Sequence, residues 1–260
     1  MSNENIGPKI KQFRKKRKLT QDQLAESLGY SGKSVISHIE KGDADMTYDK
    51  ILLLLRTYML DANELFDVSE IDALIKRQQE EKRSELLKEI FFNSNVDYLK
   101  YAKEIDYKSI LSNDVLYFKP VTSEEDLIYC CFECELKDDQ KDLVNPPFFS
   151  IARAYLKPDN VYPFIIYDKL DNKIGFICLL KWLGKGDAFS FSFLIDKKHQ
   201  RKGYGTNSIK LAIDILKMID DNKQIKIAVE KVNEKAQKLY ESLGFKKLDE
   251  LDGDDLVYSL

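Results

Sequence analysis

The residues with the clearest chemical signature lie in one turn in the C-terminal half of the chain. An apolar run ends at Ile195, residues 200–206 read Gln-Arg-Lys-Gly-Tyr-Gly-Thr, and an apolar-periodic segment follows to about residue 218. Such a turn brings the free amides of a first helical turn and the positive end of the helix dipole to one point. Glycine at 203 and 205 lets the backbone approach a phosphate without a Cβ in the way. The turn is therefore predicted to hold a pyrophosphate.

The spacing within this turn decides among nucleotide-binding motifs. A P-loop requires Gly-x4-Gly-Lys-Ser/Thr, which the sequence does not contain, and a dinucleotide fingerprint requires a third glycine where this chain has Ser208. The pattern Gln/Arg-x-x-Gly-x-Gly after a strand resembles the coenzyme A loop of the GNAT family of N-acetyltransferases. Gln200, Gly203 and Gly205 occupy its positions.

A second motif lies further along the chain, separated from the first by one predicted helix and one predicted strand. Residues 233–245 contain Asn233, Ala236, Tyr240, Gly244 and Phe245 at the spacing of the GNAT pattern Asn-x-x-Ala-x-x-x-Tyr-x-x-x-Gly-Phe. The two motifs stand in the family's order, and the resemblance covers about residues 115–260. It identifies this region as a member of the GNAT family.

The resemblance implies an acetyl-CoA-dependent N-acetyltransferase without a metal. It implies that the strand before the turn splays from its neighbour and pairs with the pantetheine arm, that Asn233 bonds this arm, and that Tyr240 donates a proton to the leaving thiolate. An amphipathic core tyrosine is the structural alternative for Tyr240. The residues implied to bind the cofactor are Phe193, Leu194, Ile195, Gln200, Arg201, Lys202, Gly203, Tyr204, Gly205, Thr206 and Asn233.

The general base is not identified by the sequence. Many relatives carry a carboxylate on the strand before the glycine turn, but residues 190–193 here read Ser-Phe-Ser-Phe. Glu133, Glu135, Asp187 and Glu230 are the candidate bases, and a tyrosine or a chain of water molecules could also serve.

The acceptor is predicted to be a small amine. Residues 145–149, Asn-Pro-Pro-Phe-Phe, together with Trp182 and residues 253–255, Gly-Asp-Asp, resemble the bacterial diamine/spermidine acetyltransferase branch. A polycationic amine is therefore favoured, and the strand without a carboxylate argues against it. Another small or aminoglycoside-like amine and a protein amine remain alternatives.

The N-terminal region reads as five short helices between residues 6 and 66. Residues 20–23, Thr-Gln-Asp-Gln, form a capping box, and residues 19–25, 34–42 and 64–66 resemble the Cro/cI-type helix-turn-helix, or XRE, family. In that family the third helix enters the major groove of double-stranded DNA. The residues that the resemblance places at the DNA are Gln21, Lys33, Ser34, Ser37 and His38.

Residues 68–112 connect the two regions. A charged helix from about 69 to 92 carries a thin apolar stripe, Asn-Ser-Asn at 93–95 interrupts it, and a second helix is predicted from about 96 to 111. The segment is interpreted either as a dimerisation arm or as a spacer that packs back on its own chain. A homodimer is favoured slightly, because XRE-type domains bind symmetric sites.

Composition agrees with a two-domain, DNA-associated protein. The 260 residues carry a net charge of −3, yet residues 1–42 hold nine Lys or Arg against four Asp or Glu. The cysteines at 130, 131, 134 and 178 are interpreted as buried apolar residues of a cytoplasmic protein. No apolar run is long enough to span a membrane.

The predicted organisation is multidomain. An all-α helix-turn-helix domain (1–67) and a helical linker (68–112) precede an α+β GNAT domain (113–260) with a mixed, largely antiparallel sheet flanked by helices. Two functions compete: an active acetyltransferase with transcriptional control, and a transcription regulator whose GNAT domain senses acetyl-CoA or an amine without turnover.

Overall fold

The computed structural model describes residues 6–60, 68–92 and 102–260 except 183 and 185. For Tyr48, for residues 68–72 and for Leu74 it describes the backbone alone. The chain divides into two compact units, Met1–Glu81 and Lys82–Leu260. The division falls within a helix, whereas the predicted linker covers 68–112.

The first unit is helical over its described residues. Its helices are α1 (Gly7–Lys16), α2 (Gln21–Ser27), α3 (Lys33–Lys41), α4 (Tyr48–Thr57) and the first part of α5 (Val68–Ile90). The fifth helix predicted at 61–66 lies outside the described residues.

Local signals explain where these helices begin and end. The Thr20 hydroxyl accepts from the Gln23 amide at 3.1 Å, and the Gln23 side chain accepts from the Thr20 amide at 2.8 Å, which confirms the predicted capping box. Gly42 ends α3 in the left-handed conformation at φ +84°. The buried core residues of this unit are Ile10, Phe13, Leu24, Ala25, Leu28, Ile36, Ile39, Met46, Ile51 and Leu54.

The second unit contains two antiparallel sheets. The first has the strand order β1-β2-β3-β4 and the second has the order β5-β7-β6. The strands are β1 (Leu116–Pro120), β2 (Val161–Asp168), β3 (Lys173–Lys181), β4 (Phe189–Ile195), β5 (Lys226–Val229), β6 (Lys246–Asp252) and β7 (Asp255–Ser259).

Short and long helices flank these sheets. They are the C-terminal part of α5, α6 (Tyr107–Ile110), α7 (Glu124–Ile128), α8 (Pro147–Leu156), α9 (Tyr204–Ile219) and α10 (Glu234–Ser242). The first sheet has apolar cores on both faces because side chains alternate along each strand: Phe164 and Ile177 belong to one core, Ile165 and Cys178 to the other. The predicted arrangement of an α-helical region followed by an α+β fold is confirmed.

The C-terminal part of α5 belongs to the core of the second unit. Leu87, Ile90 and Phe91 are almost completely buried there, and the Ser84 hydroxyl donates to the Met218 carbonyl at 2.8 Å. These residues pack back on their own chain, so their apolar side chains are not free to cover a partner. The predicted break at 93–95 and residues 96–101 of the second predicted linker helix lie outside the described residues. Residues 102–106 form turns, so the predicted helix is wrong there, and α6 is the helical part of 102–111.

The cysteine-containing segment differs from the predicted single helical face. After α7 the chain forms a π-helical turn, Tyr129–Glu133, which changes the residues that face inward. Cys130 and Cys178 are buried, Cys134 is half-buried, and Cys131 is exposed. The interpretation of Cys131 as a buried residue is therefore wrong. Within the described ranges, no helix has the length and apolar character needed to cross a lipid bilayer.

Candidate functional site

The glycine turn stands between β4 and the N-terminus of α9. Gly203 is the N-cap residue of this helix at φ +80°, a conformation that a side chain disfavours. The Asn207 side chain donates to the Gly203 carbonyl at 3.0 Å and fixes the first turn. α9 has 16 residues, so its N-terminal amides and its dipole favour negative charge at this turn.

Gln200 supports the turn from inside. Its side-chain nitrogen donates to the Ile195 carbonyl at 3.0 Å and to the Gln140 side chain at 2.7 Å. These bonds tie the end of β4 to the loop around residue 140. Gln200 therefore positions the backbone of the turn, and its direct contact with a cofactor stays a prediction.

The two sheets separate beside this turn. The first residue of β4 bonds to the segment just before β5: the Phe189 amide donates to the Gln224 carbonyl at 2.9 Å, and Phe189 forms an isolated parallel bridge with Ile225. Beyond that point no β4 to β5 ladder is found in the described chain. The backbone edge of β4 is left available to a ligand, as the resemblance implies.

A cleft with a volume of about 1020 Å³ occupies this opening. Eight of the predicted cofactor and catalytic residues line it: Phe193, Leu194, Ile195, Gln200, Arg201, Gly205, Asn233 and Tyr240. The other four, Lys202, Gly203, Tyr204 and Thr206, belong to the same turn but do not line the cleft. The fold thus brings the two sequence motifs to one cavity.

Asn233 begins the helix on the far wall of the cleft. Its side-chain oxygen accepts from the Ala236 amide at 3.2 Å, so it is the N-cap of α10. The side-chain nitrogen of Asn233 forms no hydrogen bond with a described residue, which leaves a donor at the cleft wall.

Tyr240 reaches the cleft from the same helix. Its side chain is 8% exposed and packs against Phe191 and Phe245, with ring centroids 6.2 and 5.6 Å away. Burial raises the pKa of Tyr240, so its hydroxyl keeps its proton at neutral pH. Among the residues described, none accepts a hydrogen bond from this hydroxyl.

The predicted candidate bases occupy different environments. Glu135 forms an ion pair with Lys197, and Asp187 forms one with Lys223 at 2.9 Å. Glu133 is exposed and does not line the cleft. Glu230, directly after β5, is half-buried and lines the cleft.

Asp252 and Asp255, which were not among the candidate bases, lie beside Glu230 at the cleft. Val229 pairs with Leu256, so the register places Glu230 beside Asp255, and Asp255 pairs with Asp252. All three carboxylates line the cleft: Glu230, Asp252 and Asp255. Burial and the neighbouring Asp252 and Asp254 charges raise the pKa of Asp255. In the sequence, residues 253–255 indicate only a resemblance to a family branch. Their place beside Glu230 depends on strand register, which sequence spacing does not show.

The helix-turn-helix unit presents its predicted DNA contacts on α3. Lys33, Ser34 and His38 are exposed and Ser37 is half-buried, while Ile36 and Ile39 on the opposite side enter the core. The exposed polar face is available to a nucleic acid.

Gln21 has an internal partner. Its side-chain nitrogen donates to Glu40 at 2.9 Å, and Arg14 donates to the same carboxylate, with Nη2 2.9 Å from Oε2. Glu40 is 5% exposed. Burial disfavours its charge, but the hydrogen bonds and charge of Arg14 and the bond from Gln21 prevail and lower the pKa of Glu40. The bond from Gln21 thus links the start of α2 to the buried end of α3.

The second unit combines an α+β fold with a cleft beside a glycine turn, and the first unit has a helical fold with its own core. The model of the acetyltransferase (GNAT) family matches residues 125–245, and a helix-turn-helix domain model matches residues 7–71. The chain therefore carries a GNAT acetyltransferase domain and an N-terminal helix-turn-helix domain.

Several solved structures are similar to part of this chain. An acetyltransferase from Agrobacterium tumefaciens is 17% identical, with 58% of this chain and 92% of that chain covered and a TM-score of 0.46. Mutant forms of the spermidine/spermine N-acetyltransferase SpeG from Vibrio cholerae are 22% identical, with 56% and 92% covered and a TM-score of 0.41. AAC(6')-Ib in complex with paromomycin and acetyl-CoA is 20% identical, with 56% and 92% covered and a TM-score of 0.45. No curated protein matches the chain.

Proposed function

We propose that this protein is an acetyl-CoA-dependent N-acetyltransferase that acts on a small amine and binds double-stranded DNA through its N-terminal domain. The observation that carries the proposal is the shared cleft. It joins the open edge of β4, the glycine turn at the N-terminus of α9 and the side chain of Tyr240. An anion site, a strand edge for an amide-rich arm and a proton donor are the parts that acetyl transfer from coenzyme A requires.

The cleft residues have distinct roles in the proposed reaction. The amides of the turn and Arg201 bind the pyrophosphate, β4 pairs with the pantetheine amides, and the Asn233 side-chain nitrogen donates to this arm. Acetyl-CoA supplies the thioester. The amine nitrogen forms a bond to the thioester carbonyl carbon, the carbon–sulfur bond breaks, and Tyr240 protonates the departing sulfur. The proton that the nitrogen loses passes to water in the cleft, and water returns a proton to Tyr240 after the reaction. Since Tyr240 is protonated at neutral pH, it is competent as the acid.

The proposed acceptor is a polyamine-like amine. Six carboxylates line the cleft, Asp139, Asp142, Glu230, Glu234, Asp252 and Asp255, against the cations Lys141, Arg153, Arg201 and Lys235. Asp139 is neutralised by Lys235 at 3.2 Å, and Arg201 lies in the anion-binding turn. The remaining acidic residues favour a cationic substrate.

An amine panel tests this function. The purified chain is incubated with acetyl-CoA and mono-, di- and polyamines, and free thiol is followed with a colorimetric reagent. Thiol release that depends on an amine and yields the acetylated product supports the proposal. Acetyl-CoA binding without turnover of any amine would refute it.

The second candidate function is a ligand-responsive transcription regulator without turnover. The observation that favours it is the missing carboxylate on β4, together with the ion pairs that occupy Glu135 and Asp187. In this case acetyl-CoA or an amine changes DNA affinity while no product forms. This function is tested by measuring the affinity of the protein for selected DNA sites without ligand, with acetyl-CoA and with an amine. A DNA affinity that neither ligand changes counts against sensing.

A further inference from the structure

Hydrogen-bond donors line the cleft near the start of β4, on the side of the sheet that α8 covers. Leu180 pairs with Ser190 and Cys178 pairs with Ser192, and residues opposite one another on adjacent strands point to the same face. Leu180 and Cys178 belong to the core on which Ile151 of α8 packs. Ser190 and Ser192 therefore point to the α8 side, and both residues line the cleft.

Trp182 adds a donor that lacks an acceptor. It lies two residues after Leu180, so the alternation of side chains puts its ring on the same face, and it lines the cleft. Its Nε1 atom is buried and has no hydrogen-bond partner among the described residues. An indole N–H can only donate, and a buried donor without an acceptor is destabilising. A ligand that brings an acceptor atom to this wall would satisfy it.

Arg153 supplies a positive charge from α8. It is half-buried and lines the cleft, and its guanidinium carbon lies 4.8 Å from the centre of the Phe149 ring, which orients the planar group. No carboxylate in the described ranges forms an ion pair with Arg153, whereas the cleft cations Lys141 and Lys235 both have an acidic partner. A guanidinium without a counter-charge favours a carboxylate, because its paired N–H groups match both oxygens.

The donor corner consists of Arg153, Trp182, Ser190 and Ser192. It is separate from the glycine turn, since Ser190 lies five residues before Ile195 and this is about 17 Å of extended strand. It is close to the proposed reaction centre, because Phe191, between the two serines, packs against Tyr240. A pyrophosphate at the turn and an anionic group at the donor corner can therefore bind at the same time.

We propose that the donor corner binds a carboxylate of the acceptor, so that the polyamine-like substrate is a diamino acid. This inference rests on the proposed acetyl-transfer function and adds the residues that select among amines. A diamino acid keeps two amino groups for the acidic residues of the cleft. A carboxylate on β4 would repel its anionic group, whereas the hydroxyls of Ser190 and Ser192 can donate to it.

Binding to the full chain saturated with coenzyme A tests the donor corner without turnover. Calorimetry compares lysine with 1,5-diaminopentane, which lacks only the carboxylate, and with lysine methyl ester, which lacks the negative charge. The variants are Arg153→Gln, Arg153→Lys and Trp182→Phe. Lys157→Gln is the matched control, because Lys157 is an exposed cation at the end of α8 and does not line the cleft.

The wild type and Lys157→Gln are expected to bind lysine at least about 10-fold more tightly than the diamine or the ester. Arg153→Gln should reduce this preference to within about 2-fold and leave the affinity for 1,5-diaminopentane unchanged, and Arg153→Lys should restore part of it. Trp182→Phe should reduce the preference about 3-fold, because one neutral hydrogen bond is lost. An unchanged thermal shift with acetyl-CoA shows that each variant keeps its cleft.

Three results would overturn the inference. They are the absence of the preference in the wild type, its full survival in Arg153→Gln or Trp182→Phe, and an equal loss of the preference in Lys157→Gln.

Turnover measured on the same proteins separates this inference from the proposed function. Lysine that binds through Arg153, without acetylation of lysine or any other amine, refutes acetyl transfer and leaves the donor corner as a carboxylate site. Acetylation of lysine and 1,5-diaminopentane with equal kcat/KM and equal affinity supports acetyl transfer and refutes the role of the donor corner.

Discussion

At the scale of single residues, Tyr240 is the group whose chemistry depends most on its surroundings. Its ring is enclosed by aromatic side chains and its hydroxyl faces the cleft without an acceptor among the described residues. Burial raises the pKa of Tyr240, so the hydroxyl stays protonated at neutral pH, which suits a proton donor.

Replacing Tyr240 with phenylalanine removes only the hydroxyl. We expect kcat to fall by about 100-fold or more, because general-acid assistance of this size is lost, while acetyl-CoA affinity changes by less than about 2-fold. Single-turnover kinetics and calorimetry measure the two quantities. Tyr155→Phe, at an 87% exposed position, is the control. A Tyr240→Phe variant with wild-type kcat would exclude the acid role and favour a core tyrosine.

The two glycines of the turn have separable roles. Gly203 has φ +80°, whereas a Cβ on Gly205 would lie 3.6 Å from the Phe193 ring, an ordinary contact. Gly203→Ala is expected to cost about 1 kcal/mol of stability, seen as a lower Tm. Gly205→Ala should keep the Tm and weaken acetyl-CoA binding, since it adds a methyl group at the cleft wall. Thermal denaturation of both variants with and without acetyl-CoA measures the two effects. A lower Tm in Gly205→Ala together with weaker acetyl-CoA binding only in Gly203→Ala would contradict these roles.

At the scale of elements, the helices of the first unit are joined by a buried ion pair. Glu40 on α3 accepts from Arg14 on α1 and Gln21 on α2. Its pKa is lowered in the folded state, so its contribution to stability is present above the unfolded pKa of about 4.3 and is lost as pH falls through the folded pKa.

Glu40→Gln should therefore destabilise the first unit by about 3 kcal/mol at pH 7, because Arg14 is left partly buried without its counter-charge. The difference in unfolding free energy between Glu40→Gln and the wild type should shrink towards pH 3. Circular dichroism melts at both pH values measure this, with exposed Glu26→Gln as the control. An equal destabilisation at pH 7 and pH 3 would show that the charge is not responsible.

The C-terminal part of α5 is an element of the second unit. Leu87 is fully buried in its core, and the neighbouring Lys88 is exposed. Leu87→Ala is expected to lower the free energy of unfolding of this unit by about 2–5 kcal/mol, and Lys88→Ala by less than about 0.5 kcal/mol. Denaturant unfolding followed by tryptophan fluorescence reports it through Trp182. A neutral Leu87→Ala would argue that the helix is a detachable arm.

At the scale of the whole molecule, the two units have separate cores and separate candidate ligands. Lys33 is exposed at the start of α3, and Lys41 is exposed at its end. Lys33→Ala should weaken double-stranded DNA binding several-fold and reduce the salt dependence of the binding constant by about one counterion. Lys41→Ala should change both quantities less.

Acetyl-CoA should raise the Tm of the second unit equally in the wild type and Lys33→Ala. Fluorescence anisotropy at several salt concentrations and thermal shift provide the measurements. Equal loss of DNA affinity in both lysine variants would indicate a diffuse charge effect without a specific role for α3.

Much of the architecture follows from local sequence signals. Caps, apolar periodicity and glycine placement act over a few residues. They predict the Thr20 capping box, the short N-terminal helices, strand β4 and the start of α9. The π-helical turn that exposes Cys131 was missed, because periodicity assumes an unbroken helix.

By itself the sequence determined the two types of domain, the glycine turn and the motif that contains Asn233 and Tyr240. Each of these is encoded by residues close together in the chain. Only the tertiary structure placed the turn and Tyr240 on one cleft and enclosed the C-terminal part of α5 in the second core. Only strand register set Glu230, Asp255 and Asp252 side by side, because pairing between distant strands depends on the packing of the whole sheet.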